Sequence, residues 1–232
     1  YHLVDIVHLG ADLEFRKIHQ KSERNLRLLE KELKENPDQY PIFYSYLAGE
    51  RESIGDLQGQ KEALRMGWET TMKFLEERTE HQVASTGLIA LYPAVLISTG
   101  EYVKGLKCLA ELINNLQIFS GNPVNTLYEV IQTLFQVHIP NELQETLYEL
   151  VYDGADVVAS FDDTCFPEPM IEGVCTYKAI QMKIVACLKL KRLEEAEELI
   201  KLLKNFSEVD LEVKLFELEL KIEKGEVFEA MN

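Results

Sequence analysis

The feature that most constrains this chain is a helical period of apolar residues, interrupted repeatedly by short turns. The clearest pair of helices covers segments 177–190 and 193–204, and Ala196 and Ile200 lie on one apolar stripe of the second segment. The same period extends over nearly all of residues 14–229. This pattern predicts an all-α protein built from consecutive antiparallel helix pairs.

One segment, 209–222, fits a strand as well as a helix because apolar and charged residues alternate at its start. It continues without a turn and consists largely of Leu, Glu and Lys, which favour a helix. On a helix it carries two apolar stripes on roughly opposite faces: Leu211, Leu215, Leu218 and Ile222 on one, and Val209, Val213, Phe216 and Leu220 on the other. We expect this helix to pack between two neighbours, with the Ser207 hydroxyl capping its start.

The turns between helices recur along the chain. Their predicted centres are Gly55, Gly100, His138, Lys191 and Gly225. The intervals between these centres are 45, 38, 53 and 34 residues, so the repeats differ in length. Five residues after a centre, close helix packing favours a small side chain. Gly105, Ala196 and Ala230 satisfy this requirement, whereas Gln60 and Leu143 do not.

The repeating unit resembles the tetratricopeptide repeat (TPR) family, whose unit is a helix–turn–helix of about 34 residues. The matching positions are Tyr44, Leu47, Ala48 and Gly55 in the first helix and turn, and Leu64 and Gly67 in the second helix. The resemblance implies a TPR-like superhelical stack of degenerate repeats over residues 37–232.

A second resemblance lies near the start of the chain, between Val4 and Glu50. The run IVHLGAD, followed by SERNLRLLEKELKENPDQYPIFYSYLAGE, is similar to the junction in bacterial family 2 glycosyltransferases that carry a TPR tail. Ala11-Asp12 departs from that pattern, because an aromatic residue often follows the glycine. The resemblance implies that residues 1–13 are the end of an α/β catalytic domain, with a short strand or extended segment, and that residues 14–36 form a linker helix.

The resemblance also implies where the chemistry lies. The nucleotide-sugar and a divalent metal would bind to the upstream catalytic domain, and this chain itself would hold no cofactor. Because the sequence opens at Tyr1 within the junction, we expect the chain to be part of a longer bacterial, cytoplasmic polypeptide.

Composition limits the possible partners. Twenty-four Lys and Arg against 40 Asp and Glu give a net charge of −16, which disfavours binding to nucleic acid or to anionic membranes. No apolar run reaches the ~20 residues needed to span a bilayer. The four cysteines form no CxxC pair, so we expect reduced and mostly buried thiols, and the scattered histidines predict no zinc cluster.

One basic cluster stands out in this acidic chain: Arg16, Lys17, Lys21, Arg24 and Arg27. It could dock onto an acidic catalytic domain or contact a donor diphosphate through bidentate arginines. The alternative is an ordinary solvated helix face.

One acidic pair and one histidine could belong to a functional site, but each also has a purely structural explanation. Asp162-Asp163 is a pair of acids of the kind that holds a metal in transferases, but it falls in a predicted loop between helices, which favours a solvated loop. His8 lies at the junction, where a structural role is the simpler explanation. The aromatic residues Tyr40, Phe43, Tyr44 and Tyr46 are expected mainly in the core.

The sequence shows no phosphate-binding glycine loop, nucleophile elbow or HExxH motif, so no catalytic or metal-binding residue is predicted in this chain. We expect a non-catalytic module of a family 2 glycosyltransferase that recognises a protein or peptide acceptor or forms a homodimer. The alternative is a free-standing TPR adaptor with no link to a transferase.

Overall fold

The computed structural model describes residues 21–36, 41–76, 89–116, 123–161 and 171–226. Within these ranges the chain folds into ten α-helices and forms no strand. The prediction of an all-α protein is therefore confirmed. The predicted strand or extended segment in residues 1–13 lies outside the described residues.

The chain divides into two compact units, residues 1–92 and 93–232. In the first unit, α1 (Lys21–Glu35) packs against α2 (Pro41–Ser53), and α2 packs against α3 (Leu57–Glu76). The approach of α2 to α3 is close because Gly67 has no side chain. A Cβ added there would lie 2.9 Å from the Cβ of Tyr44.

The remaining helices belong to the second unit, except that the first of them begins at Tyr92, the last residue of the first unit. They are α4 (Tyr92–Ser98), α5 (Tyr102–Asn114), α6 (Pro123–Leu134), α7 (Asn141–Ala159), α8 (Ala179–Lys189), α9 (Leu193–Leu203) and α10 (Asp210–Glu223). Helix α7 packs against α5 and α8, and α9 contacts both α8 and α10. A π-helical turn, Val174–Lys178, precedes α8, and a 3-10 turn, Ser207–Val209, precedes α10.

The start of α10 corrects one prediction. The Ser207 hydroxyl does not cap the helix, since Ser207 begins the 3-10 turn and the α-helix begins three residues later, at Asp210. Val209 occupies the cap position and makes no side-chain cap bond, because its side chain is apolar and buried.

Four of the five predicted turn centres share one backbone conformation. Gly55, Gly100, Lys191 and Gly225 all have positive φ, at 79°, 87°, 59° and 78°. This left-handed conformation is the usual way to end an α-helix sharply, and glycine adopts it without steric cost. The structure therefore confirms these four turns. At His138 the backbone is not left-handed, and α7 instead begins after Pro140.

The first three of these turns are closed by the same two hydrogen bonds, which define a Schellman motif. The N–H of the residue after the centre bonds to the carbonyl five residues back, with an N–O distance of 2.9 Å at Asp56, Glu101 and Arg192. The N–H of the centre bonds to the carbonyl three residues back, at 2.9 Å, 3.1 Å and 3.3 Å respectively. The next helix begins directly after the residue that completes the motif, so each hairpin has a fixed link.

Two of the predicted small residues lie at close helix contacts. A Cβ on Gly105 would lie 2.5 Å from Cγ1 of Ile97 and 3.0 Å from the carbonyl oxygen of Pro93, and Ala196 is completely buried. Gln60, whose larger side chain departs from the rule, is only half-buried. Ala230 lies outside the described residues, and the TPR-like superhelix remains a prediction.

We expect Ala196→Leu to destabilise the protein by about 1–3 kcal/mol, because three extra carbons must fit into a contact that Ala196 fills completely. The exposed Glu198 on the same helix provides the control, and Glu198→Ala should change stability by less than about 0.5 kcal/mol. Urea unfolding of both variants measures the difference. Equal midpoints would contradict the close contact at Ala196.

Candidate interaction surfaces

The predicted basic cluster lies partly on α1. Arg24 and Arg27 are exposed, and neither forms an ion pair with another described residue. Lys21 is half-buried, whereas Arg16 and Lys17 lie outside the described residues. Asp162, Asp163 and His8 also lie outside them.

The opposite side of α1 is fixed to α2 by polar contacts. The Ser22 and Ser53 hydroxyls are 3.1 Å apart, and the Asn25 amide donates to the largely buried Glu50 carboxylate at 2.8 Å. These bonds orient α1 so that Arg24 and Arg27 face away from α2. The helix can therefore present both guanidinium groups to a separate domain or protein.

Arg51 links three elements of the first unit. Its guanidinium donates to Glu30 on α1 at 2.8 Å and to Asp56, the residue before α3, at 2.6 Å. The other oxygen of Asp56 accepts the Gly59 backbone N–H at 2.9 Å and so caps α3. The Gly59 N–H and the Arg51 guanidinium together lower the pKa of the Asp56 carboxyl.

A groove of about 390 Å³ lies beside this ion cluster. Arg51 and Asp56 form its polar side, and Tyr44, Leu47 and Met66 form its apolar side. Tyr44 is 4% exposed and belongs to the core, as expected, whereas Tyr46 points outward with 53% of its surface exposed. Because Arg51 is already paired with two carboxylates, this groove is organised mainly for packing α2 against α3.

A second groove, of about 470 Å³, lies between α9 and α10. Glu197 accepts hydrogen bonds from Lys201 at 2.8 Å and from Lys224 at 2.5 Å, and these two ammonium groups lower the pKa of its carboxyl to about 2. Lys204 pairs with Glu217 across the groove at 2.5 Å. Glutamate carboxylates thus neutralise most of the lysine charge in this groove. The ion pairs between α9 and the other side of the groove hold it together, and little positive charge is left to bind an anion.

Among the described residues of the second unit, the longest row of exposed apolar side chains runs along α10. We call it the outer stripe, and it consists of Leu211, Leu215, Leu218 and Ile222. Their side chains are 67%, 57%, 51% and 49% exposed. Single exposed leucines are common on protein surfaces, but a continuous row of this kind is typical of an interaction site.

The opposite face of α10 is buried. Val209, Val213 and Leu220 pack into a core with Ile200 and Leu203 of α9. The prediction that α10 packs on both faces is therefore wrong for the described part of the chain. The sequence identifies two apolar stripes, but it does not show that α9 covers only one of them.

Two charged rows flank the outer stripe. Glu212 and Glu219 lie on one side, and Lys214 and Lys221 lie on the other, as the helical period of 100° per residue requires. These charged rows were not predicted from the sequence. The sequence does contain a sign of them, since like charges on each side of the outer stripe are spaced seven residues apart.

Possible metal ligands are not clustered in the described ranges. No group of three or more His, Cys, Asp or Glu side chains there is arranged to hold a metal, and no helix there is long and apolar enough to cross a membrane. The thiols of Cys108, Cys175 and Cys187 are buried, in agreement with the expectation. Burial raises the pKa of Cys108 to about 11 and that of Cys187 to about 12, so both are poor nucleophiles at neutral pH.

We expect Asp56→Asn to lower the melting temperature at pH 7. Because the folded pKa of Asp56 is below its ordinary value of 3.8, its ion pair contributes stability above that pH. The contribution is lost as the pH falls through the lower, folded pKa. The difference between wild type and variant should therefore shrink in acid.

Thermal unfolding followed by circular dichroism at pH 7 and in an acidic series measures this difference. Asp153→Asn removes an exposed carboxylate that has no partner among the described residues, and it should give no such pH-dependent gap. A gap for Asp56→Asn that stays constant down to about pH 2 would show that the Arg51 contact does not stabilise the fold.

Comparison with known proteins does not assign a function to this chain. No protein-family model matches the chain, and no curated protein or solved structure matches it either. Function must therefore be inferred from the helical hairpins, the exposed arginines of α1 and the outer stripe of α10.

Proposed function

We propose that this chain is a non-catalytic helical-repeat module of a bacterial family 2 glycosyltransferase and that it mediates association with other proteins. Catalysis would belong to a domain upstream of Tyr1, which would bind the nucleotide-sugar and a divalent metal. The observation that carries the association role is the outer stripe of α10. An apolar row with a positive and a negative border is suited to bind a second amphipathic helix.

The link to a transferase is supported by the resemblance between Val4 and Glu50. Helix α1 (Lys21–Glu35) lies within residues 14–36, to which the family resemblance assigns a linker helix, and it ends just before Asn36-Pro37. Arg24 and Arg27 on α1 are the exposed cations nearest in sequence to the proposed catalytic domain among the described residues. An acidic surface on that domain would complement them.

The scaffold also favours a role in association. Short, hydrogen-bonded links fix the two helices of a hairpin, so residues on their outer faces keep constant spacing. Repeat proteins commonly use such surfaces to bind proteins or peptides, including an acceptor polypeptide. A free-standing adaptor would have the same scaffold, but its binding function would not require a catalytic domain in the same polypeptide.

We expect the 232-residue chain alone to release no nucleoside diphosphate from UDP-sugars or GDP-sugars, with or without Mn²⁺ or Mg²⁺. Sugar transfer requires a cationic clamp on the departing diphosphate and a base for the acceptor. A coupled assay for diphosphate release, with the heat-denatured chain as the control, measures this activity. Turnover above that background would contradict the division between module and catalytic domain.

We also expect Arg24→Glu/Arg27→Glu to weaken the parent transferase on a protein acceptor. In the intact polypeptide the double variant should raise KM for the acceptor by about tenfold, since two attractive contacts become repulsive. Donor hydrolysis without the acceptor reports on the catalytic domain itself. The conservative variant Arg24→Lys/Arg27→Lys keeps both charges and should retain most of the activity.

Two outcomes would argue against this role for α1. Unchanged acceptor kinetics in the glutamate variant would leave Arg24 and Arg27 as solvated surface. A parent gene with no α/β transferase domain upstream of Tyr1 would favour the adaptor instead.

A further inference from the structure

We propose that the outer stripe of α10 binds a second copy of this chain, with the two α10 helices parallel and related by a two-fold axis. The inference builds on the association role proposed above and names the partner. It rests on the spacing of the stripe, the exposure of its side chains and the charges along its borders.

The outer stripe has the spacing of a coiled-coil seam. Its members are separated by four, three and four residues, so Leu211 and Leu218 occupy d positions and Leu215 and Ile222 occupy a positions of a heptad. The four side chains remain at least 49% exposed. They therefore form a narrow apolar row, which is the surface that a second helix covers in a coiled coil.

The opposite face holds α10 in place. Val213 and Leu220 occupy the f positions of the same heptad, and they are 6% and 7% exposed against the core shared with α9. The helix is thus already folded and oriented before any partner arrives. Binding would not require the cost of ordering this helix.

The charges select one orientation. Glu212 and Glu219 occupy e positions, and Lys214 and Lys221 occupy g positions. In a parallel pair, a g residue faces the e residue five positions later on the other helix, so Lys214 would face Glu219 of the second copy, twice by symmetry. In an antiparallel pair, e faces e and g faces g, which would place like charges together.

These charges are available for such contacts. Lys214 is exposed and forms no ion pair with a described residue. Glu219 lies 3.9 Å from Lys189, a long contact between side chains that are both about half exposed. Such a surface pair contributes little, so Glu219 can exchange it for Lys214 of the second copy.

The expected dimer is weak. Two heptads span about 21 Å of helix, and their contact is smaller than the ~1,600 Å² of a standard interface. Association should therefore depend on protein concentration and, because the border charges are exposed, on salt.

Sedimentation equilibrium of the complete 232-residue chain over a dilution series provides the test. We expect a monomer–dimer equilibrium that Leu215→Asp weakens by more than about tenfold, because a carboxylate would enter the apolar seam. Leu28→Asp is the matched control, since Leu28 is 60% exposed on α1 and lies in the first unit. Circular dichroism should show that both variants retain the wild-type helix content.

Charge exchange tests the orientation. Lys214→Glu and Glu219→Lys should each weaken the dimer, and Lys214→Glu/Glu219→Lys should restore it, because the swap recreates both pairs. In an antiparallel dimer, Lys214→Glu would instead strengthen association by removing a repulsion between lysines. That result would overturn the proposed geometry.

Other results would overturn the proposal that a second copy binds the outer stripe. A chain that is monomeric at every concentration would do so, as would a dimer that Leu215→Asp does not weaken. A full chain that is monomeric and a chain shortened after Glu226 that dimerises would assign the stripe to residues 227–232. Diphosphate release by the isolated chain does not depend on dimerisation, so failure of this inference is distinct from failure of the proposed function.

Discussion

The left-handed residue at the end of a helix is the constraint on which the rest of this structure depends. At Gly55, Gly100 and Lys191 it turns the chain within two residues, and two backbone hydrogen bonds close each turn. Since the next helix begins directly after the residue that completes each motif, the link between the two helices of each hairpin is as short as possible. Close contacts such as those at Gly105 and Ala196 follow from this short link.

Lys191 shows how strongly the turn is required. A residue with a Cβ strains in the left-handed region, by about 1–2 kcal/mol. The lysine nevertheless adopts it, and its ammonium group pairs with Glu223 of α10. Beside it, Arg192 pairs with Glu149 of α7, and Lys183 pairs with Asp156 at 2.8 Å. In this acidic chain, much of the positive charge in the second unit is therefore used to join its own helices.

The helices and turns could be predicted from sequence because their causes are local. The apolar period, the prolines and the turn glycines each act within a few residues, and the structure agrees with four of the five turn centres. The failed prediction at Ser207 is also local: a buried Val209 in the 3-10 turn displaced the start of α10 to Asp210. The sequence offered a good capping residue, but the packing of its neighbour determined the geometry.

The features of the candidate sites were harder to predict because they depend on contacts between distant segments. Both stripes of α10 were visible in the sequence, yet only the position of α9 determines which one is exposed. The role of Arg51 in joining helices could not be predicted, because its two carboxylate partners come from α1 and from the residue before α3. The basic residues of α1 are recognisable in the sequence, but their exposure depends on the contacts that Asn25 and Ser22 make with α2.

The fixed turns also have a consequence for how the protein folds. Each hairpin brings together residues close in sequence, so its closure costs little loop entropy and can occur before distant helices meet. A chain of this design can fold progressively during synthesis, one hairpin after another. Because α10 is the last of the described helices to be synthesised, its half-exposed stripe would be the last apolar surface among them to emerge.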